Sequence, residues 1–150
     1  MNGWLLDSNV AAEILRPKPD RAVDSWSRAQ PRHRVYISVL TLAEIEQGLW
    51  ALPMNDSRRA EIELLLIRAG RIFAGRTLSV DDAIVRRWAR IRGTARRTQR
   101  KQPPPIDALF AATAIEHGLY LASRNVADFE LTGVRVFDPW KGDPEAFPLR

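Results

Sequence analysis

The stretch IDALFAATAIEHGLYLA, residues 106–122, decides the fold. Asp107 to His117 reads as a helix, because DALFAATA is apolar or small around its one acid. Gly118 is a suitable residue just past a helix end, where the left-handed conformation is common. Leu119 to Ala122 then reads as a strand. Upstream lies a loop from Thr98 to Pro105, and before it a helix from Val80 to about Arg97, opened by a Ser79–Asp82 capping box. Further back are helices over Asp56–Phe73 and Thr41–Leu52, with Leu42, Ile45, Leu49 and Leu52 on one stripe of the latter. Leu78 is a strand remnant or connector between two of these helices.

The first third repeats the alternation. Gly3 to Leu6 is a short apolar run, and Val10 to Leu15 a short helix that Pro17 and Pro19 end. Asp20 to Arg28 is a second helix, and Val35 to Ile37 a β-branched and aromatic strand. Downstream of Ala122 come an SRNVADF loop and a last strand over Val134–Phe137. Strands alternating with helices imply an α/β fold with a short, mostly parallel sheet covered on both faces. The 150 residues fit a single domain, 1–150, with enough chain for a core.

Composition narrows the function. With no cysteine, disulfides and thiolate metal sites are excluded. No apolar run is long enough to span a bilayer, and MNGWLLDSN lacks a signal peptide's basic segment, so the expected compartment is the cytoplasm, with no membrane partner. The net charge of +5 is local. Eight basic residues and no acid lie between Ala83 and Ile106, and the rest of the chain has 15 basic against 18 acidic residues. Such a segment suits an anionic polymer, or is simply a solvated helix face running into a loop. Arg86, Arg90, Arg96, Arg97, Arg100 and Lys101 are its candidate backbone contacts to such a polymer.

Four acids stand out: Asp7 in WLLDSN, Glu44 in VLTLAEIEQG, Asp107 in PPPIDALFAA and Asp128 in ASRNVADF. In parallel sheets the ligand site lies outside the carboxyl ends of the strands. Asp7, Asn125 and Asp128 follow strands directly, and Glu44 and Asp107 sit early in helices that reach the same edge. Gathered carboxylates repel one another unless a cation joins them, and hard oxygen ligands suit Mg²⁺ or Mn²⁺. Each acid also has a local explanation. Asp7 could cap the next helix, although Ser8 and Asn9 can cap equally well and leave it free. Glu44 could close a capping box with Thr41, Asp107 could favour a helix dipole, and Asp128 could make an Asx turn.

Other chemistries are weaker. His33 and His117 have no ligand-spaced partner, and there is no Walker A loop, GxGxxG or HExxH. A haloacid-dehalogenase-type phosphatase needs Asp-x-Asp, and the second position here is Asn9. Trp26, Trp50, Trp88 and Trp140 read as packing or interface groups.

The segments WLLDSNVAAEILRPKPD, YISVLTLAEIEQGLWALP and IDALFAATAIEHGLYLASRNVADFELTGVRVFDPW, in this order, resemble the PIN-domain ribonucleases of the VapC/FitB toxin type. The resemblance implies a PIN-like three-layer α/β/α domain with four to five strands, and a metal-dependent endoribonuclease toxin of a toxin–antitoxin pair. It places the acidic site on Asp7, Glu44, Asp107 and Asp128, as Mg²⁺ or Mn²⁺ ligands, with Asn9, Ser123 and Asn125 in support. Ser8 and Ser123 stand where the family usually has threonine, and both keep a hydroxyl. The resemblance also implies a cognate antitoxin, a homodimer and a larger toxin–antitoxin assembly. The alternative is a PIN-like module that binds nucleic acid or protein without cutting.

Overall fold

A computed structural model describes all 150 residues. The elements run β1 (Trp4–Leu6), α1 (Ser8–Ile14), α2 (Arg21–Ala29), β2 (Val35–Ser38), α3 (Val39–Trp50), α4 (Arg58–Ile72) and β3 (Thr77–Leu78). Then follow α5 (Asp82–Gln99), α6 (Pro105–Glu116), β4 (Tyr120–Ala122) and β5 (Val136–Phe137). A 3₁₀ turn at Val126–Phe129 links the last two strands. The five strands lie in the order β3-β2-β1-β4-β5 and every pairing is parallel. With β1 at the centre, the chain is wound outward in both directions, so the carboxyl ends of all five strands share one edge.

Alternation along the strands builds two cores. Trp4 and Leu6, with Tyr120 and Ala122, point to one face and pack with Val10, Ala11, Trp26, Phe73 and Phe137. Leu5 and Leu121 point to the other, against Phe110, Ala111 and Ala114 of α6 and Phe129. The first core is aromatic: Trp26 meets Trp4 edge-on at 5.1 Å, and Tyr120 and Phe137 lie 5.0 and 5.3 Å from Trp4. Burying side chains of this size stabilises by about 1.5–3 kcal/mol each. Trp4→Ala would empty the centre of that cluster. The second core is built of small residues, with Ala108, Ala111, Ala112 and Ala114 fully buried in α6. Small side chains let α6 lie close to both the sheet and α5. Gly3 is required where β1 passes β2, because a Cβ there would sit 2.2 Å from the Arg34 carbonyl oxygen.

Helix starts differ from the sequence reading. Ser38 caps α3, accepting from the Leu40 N–H at 3.0 Å, so the helix begins at Val39, two residues before Thr41, and no Thr41–Glu44 box forms. Thr41 is instead fully buried one turn in. Asp81 caps α5, accepting from the Ile84 N–H at 3.0 Å, in place of the Ser79–Asp82 box. Where two candidate caps are close in sequence, the one whose side chain reaches a free N–H in the packed structure wins. The helix α5 continues to Gln99 and ends on Arg100 at φ 53°, which shortens the expected loop. Proline starts α6 at Pro105, two residues before Asp107, a position that needs no N–H donor.

Candidate functional site

The carboxyl end of β1 delivers Asp7 to the middle of the shared strand edge. Its backbone N–H donates to the Ala122 carbonyl of β4 at 2.9 Å, which extends the ladder one residue past the strand. The side chain then does what the first helix needs: Oδ1 accepts from the Ser8 N–H at 2.8 Å, making Asp7 the N-cap of α1. The reading in which Ser8 and Asn9 left Asp7 free of capping is therefore corrected. Capping occupies only one oxygen. Oδ2 accepts from the Ser123 hydroxyl at 2.6 Å and the Asn9 amide at 3.3 Å. Asp7 is 6% exposed, so these donors hold a nearly dry carboxylate in one orientation.

Asn9 and Ser123 are joined to the same network. Asn9 Nδ2 also reaches Ser123 Oγ at 3.5 Å, and Asn9 Oδ1 accepts from the Arg124 N–H at 3.3 Å. Asn125 enters through its backbone, whose N–H donates to Ser123 Oγ at 3.1 Å, while its side chain is exposed and makes no protein hydrogen bond. The Ser8 hydroxyl faces Thr41 Oγ1 at 3.5 Å, tying the starts of α1 and α3 together.

The other three acids reach this point from separate elements. Glu44 stands on α3, Asp107 in the first turn of α6, and Asp128 on the 3₁₀ turn after β4. Their mutual charge shows that they gather. Asp107 is pushed up to about 6, first by burial and then by Asp7, Asp128 and Glu44. Burial also lifts Asp7 against the pull of Ser123, Ser8 and Asn9, and Asp128 lifts it further. Partial burial of its carboxylate raises Glu44, against the pull of the Ser8 side chain, and Asp7 raises it further. As a residue Glu44 is exposed and stands on the rim of the site. Asp128 is exposed beside a cleft of about 290 Å³ that Lys101 and Gln99 also line.

No three acidic or histidine groups close into a ready-made ligand set. The donors are nonetheless all oxygens, carry like charge and come from four elements. That is the chemistry of a hard divalent cation, and Mg²⁺ in particular keeps several of its own waters between itself and carboxylates.

The basic segment divides. Arg86 is paired to Asp82 at 2.8 Å along α5. Lys101 shares the cleft with Asp128, and Arg90 lines the neighbouring groove with Glu130. Arg96, Arg97 and Arg100 are exposed on the last turns of α5 and line neither. Arg124 was not singled out from the sequence, although it lies inside the SRN segment directly after Ser123. Its guanidinium lies 4.2 Å above the Trp140 ring.

The PIN domain family matches residues 4–132 of the chain. The VapC ribonuclease Y4jK of Sinorhizobium fredii is 36% identical over 142 residues, covering 91% of this chain and 97% of that protein. Toxin FitB of Neisseria gonorrhoeae is 37% identical over 137 residues, covering 91% and 97%. Among solved structures, the crystal structure of FitAcB from Neisseria gonorrhoeae superposes with a TM-score of 0.79 at 36% identity, covering 91% of this chain and 98% of that one. The chain belongs to the PIN-domain family, among its VapC/FitB-type members.

Proposed function

We propose that this PIN-domain protein is an endoribonuclease toxin of a toxin–antitoxin pair, using a carboxylate-bound Mg²⁺ or Mn²⁺ site to hydrolyse RNA phosphodiesters. The observation that carries the proposal is that Asp107, pushed up to about 6 first by burial, also feels the charge of Asp7, Asp128 and Glu44, each from a different element. Uncompensated negative charge of that kind is costly to a fold and is relieved by a cation. The names of the relatives support the reaction class, since one is a VapC ribonuclease and another a toxin.

Asp7, Glu44, Asp107 and Asp128 would hold the metal, some of them through water. When bound, a divalent cation lowers the pKa of an attacking water and neutralises charge on the phosphate. The chain's own residues supply placement. Ser123, Asn9 and the Ser8 N–H fix both oxygens of Asp7, so that carboxylate needs no reorganisation on binding. Glu44 and Asp128, on the open side, are placed to exchange waters. Lys101 in the cleft beside Asp128, and Arg90 in the next groove, offer positive charge to the RNA backbone. An antitoxin that lays a cation among the acids would block the same site.

The test is cleavage of a mixed RNA pool with Mg²⁺, beside Asp7→Asn and beside chelator. Metal-dependent cleavage by the parent alone supports the proposal. Equal cleavage by both proteins would sink the site assignment, and RNA binding without any cutting would replace the proposal with a non-catalytic binding module.

A further inference from the structure

Several of the chain's cations are already engaged. Arg86 is paired with Asp82, Arg87 with Glu116 at 2.6 Å, and Arg92 donates to Pro103 and Gln102 at 3.3 Å. Arg124 has no carboxylate partner, and its side chain donates to no protein acceptor; only its backbone N–H does, to Asn9. It is nevertheless held. That backbone bond ties it to the Asn9 that holds Asp7, and its guanidinium carbon sits over the Trp140 ring, 4.2 Å from the centroid. Trp140 packs against the aromatic core, and its backbone N–H donates to Asp138 Oδ1 at 2.9 Å. A guanidinium stacked on a ring keeps its N–H donors in a plane at the edge of the stack, free for a two-pronged contact.

Resting on the nuclease reading above, we infer that Arg124, stacked on Trp140, is a phosphate-binding residue that clamps the RNA backbone beside Asp7. The inference joins two ends of the strand edge. Ser123 and Arg124 are adjacent, so one short segment orients the carboxylate with its first residue and the polyanion with its second. Trp140 supplies rigidity, which lowers the entropy lost when the guanidinium engages phosphate.

The experiment measures binding of a short labelled single-stranded RNA in chelator, across a salt series, for the parent, Arg124→Gln, Arg124→Lys and Trp140→Leu, with the thermal midpoint of each. Loss of one phosphate contact should reduce the slope of log affinity against log salt by about 0.7 for a single strand. Arg124→Gln should show that drop and bind about tenfold more weakly at low salt. Arg124→Lys and Trp140→Leu should keep the slope and lose part of the affinity, since both retain the charge but not the stacked fork. An unchanged slope in Arg124→Gln overturns the inference, as does a parent that binds no RNA. In Arg124→Gln, a fall in thermal midpoint with the slope intact assigns the stack to stability alone and overturns it too. Cleavage with Mg²⁺ is scored separately: RNA bound but uncut sinks the nuclease reading and leaves the Arg124 comparison readable.

Discussion

The acidic edge and the basic helix α5 carry the two charge signs of this protein in opposite styles. Asp7 is nearly dry and takes three donor contacts around its two oxygens, from Ser8, Asn9 and Ser123. Arg86, Arg96 and Arg97 stand in solvent, and Arg86 is satisfied by a neighbour on its own helix. The fold thus spends rigid elements on the negative charges and leaves most of the positive ones on mobile stems. That is reasonable for a cation site that needs geometry beside a polyanion surface that needs only potential.

Several measurements would break or sharpen that contrast. Asp107→Asn removes one corner of the acidic set, and RNA cleavage in Mg²⁺ should fall by roughly 100-fold or more. Cleavage held within a few-fold would show that the acids do not act as a unit. Ser123→Ala removes the 2.6 Å bond to Asp7 Oδ2 and leaves that oxygen with the Asn9 amide alone. Denaturant unfolding should register a loss of about 1–3 kcal/mol, as for other buried polar atoms stripped of a partner.

The third measurement is stability against pH without metal. Asp107 stands at about 6 when folded against 3.8 for a free carboxyl. The folded state therefore holds a proton that the unfolded chain has released, and stability falls as pH rises from about 4 to about 6. Asp107→Asn should flatten that descent, and Mg²⁺ should raise the thermal midpoint mainly above the window, where the carboxylate is charged. A midpoint that climbs through the window would contradict the crowding of the four acids. The smallest effect belongs to the basic side. Arg86→Ala should stay within about 0.5 kcal/mol of the parent, because its pair with Asp82 is exposed at both ends.

Much of the architecture was readable because it depends on local pattern. The apolar runs before Asp7 and after Gly118 became adjacent parallel strands, and the alternation of helix and strand gave the layers. Helix starts were less readable, since Ser38, Thr41, Ser79 and Asp81 are all good caps and packing chose among them. The candidate acids stood out in the sequence by their places after strands or early in helices. The site's internal wiring did not. That Asp7 caps α1 while Ser123 holds its second oxygen depends on two strands meeting from opposite ends of the chain. Arg124 was hidden for the same reason, because its platform Trp140 lies beyond another strand and the significance of the pair exists only once β4 and β5 are side by side.

The alanine-lined burial of α6 has a consequence in time. Amides in a helix pressed this closely between a sheet and a neighbour exchange with solvent only when the whole protein opens. Asp107 is carried on that helix. Asp128 is carried on an exposed turn, whose amides can exchange through local opening. The buried body of α6, just past Asp107, thus keeps the slow clock of global unfolding, and the turn that carries Asp128 the fast clock of a loop. An incoming ion would find part of its cage already standing and would wait for the rest to swing into place.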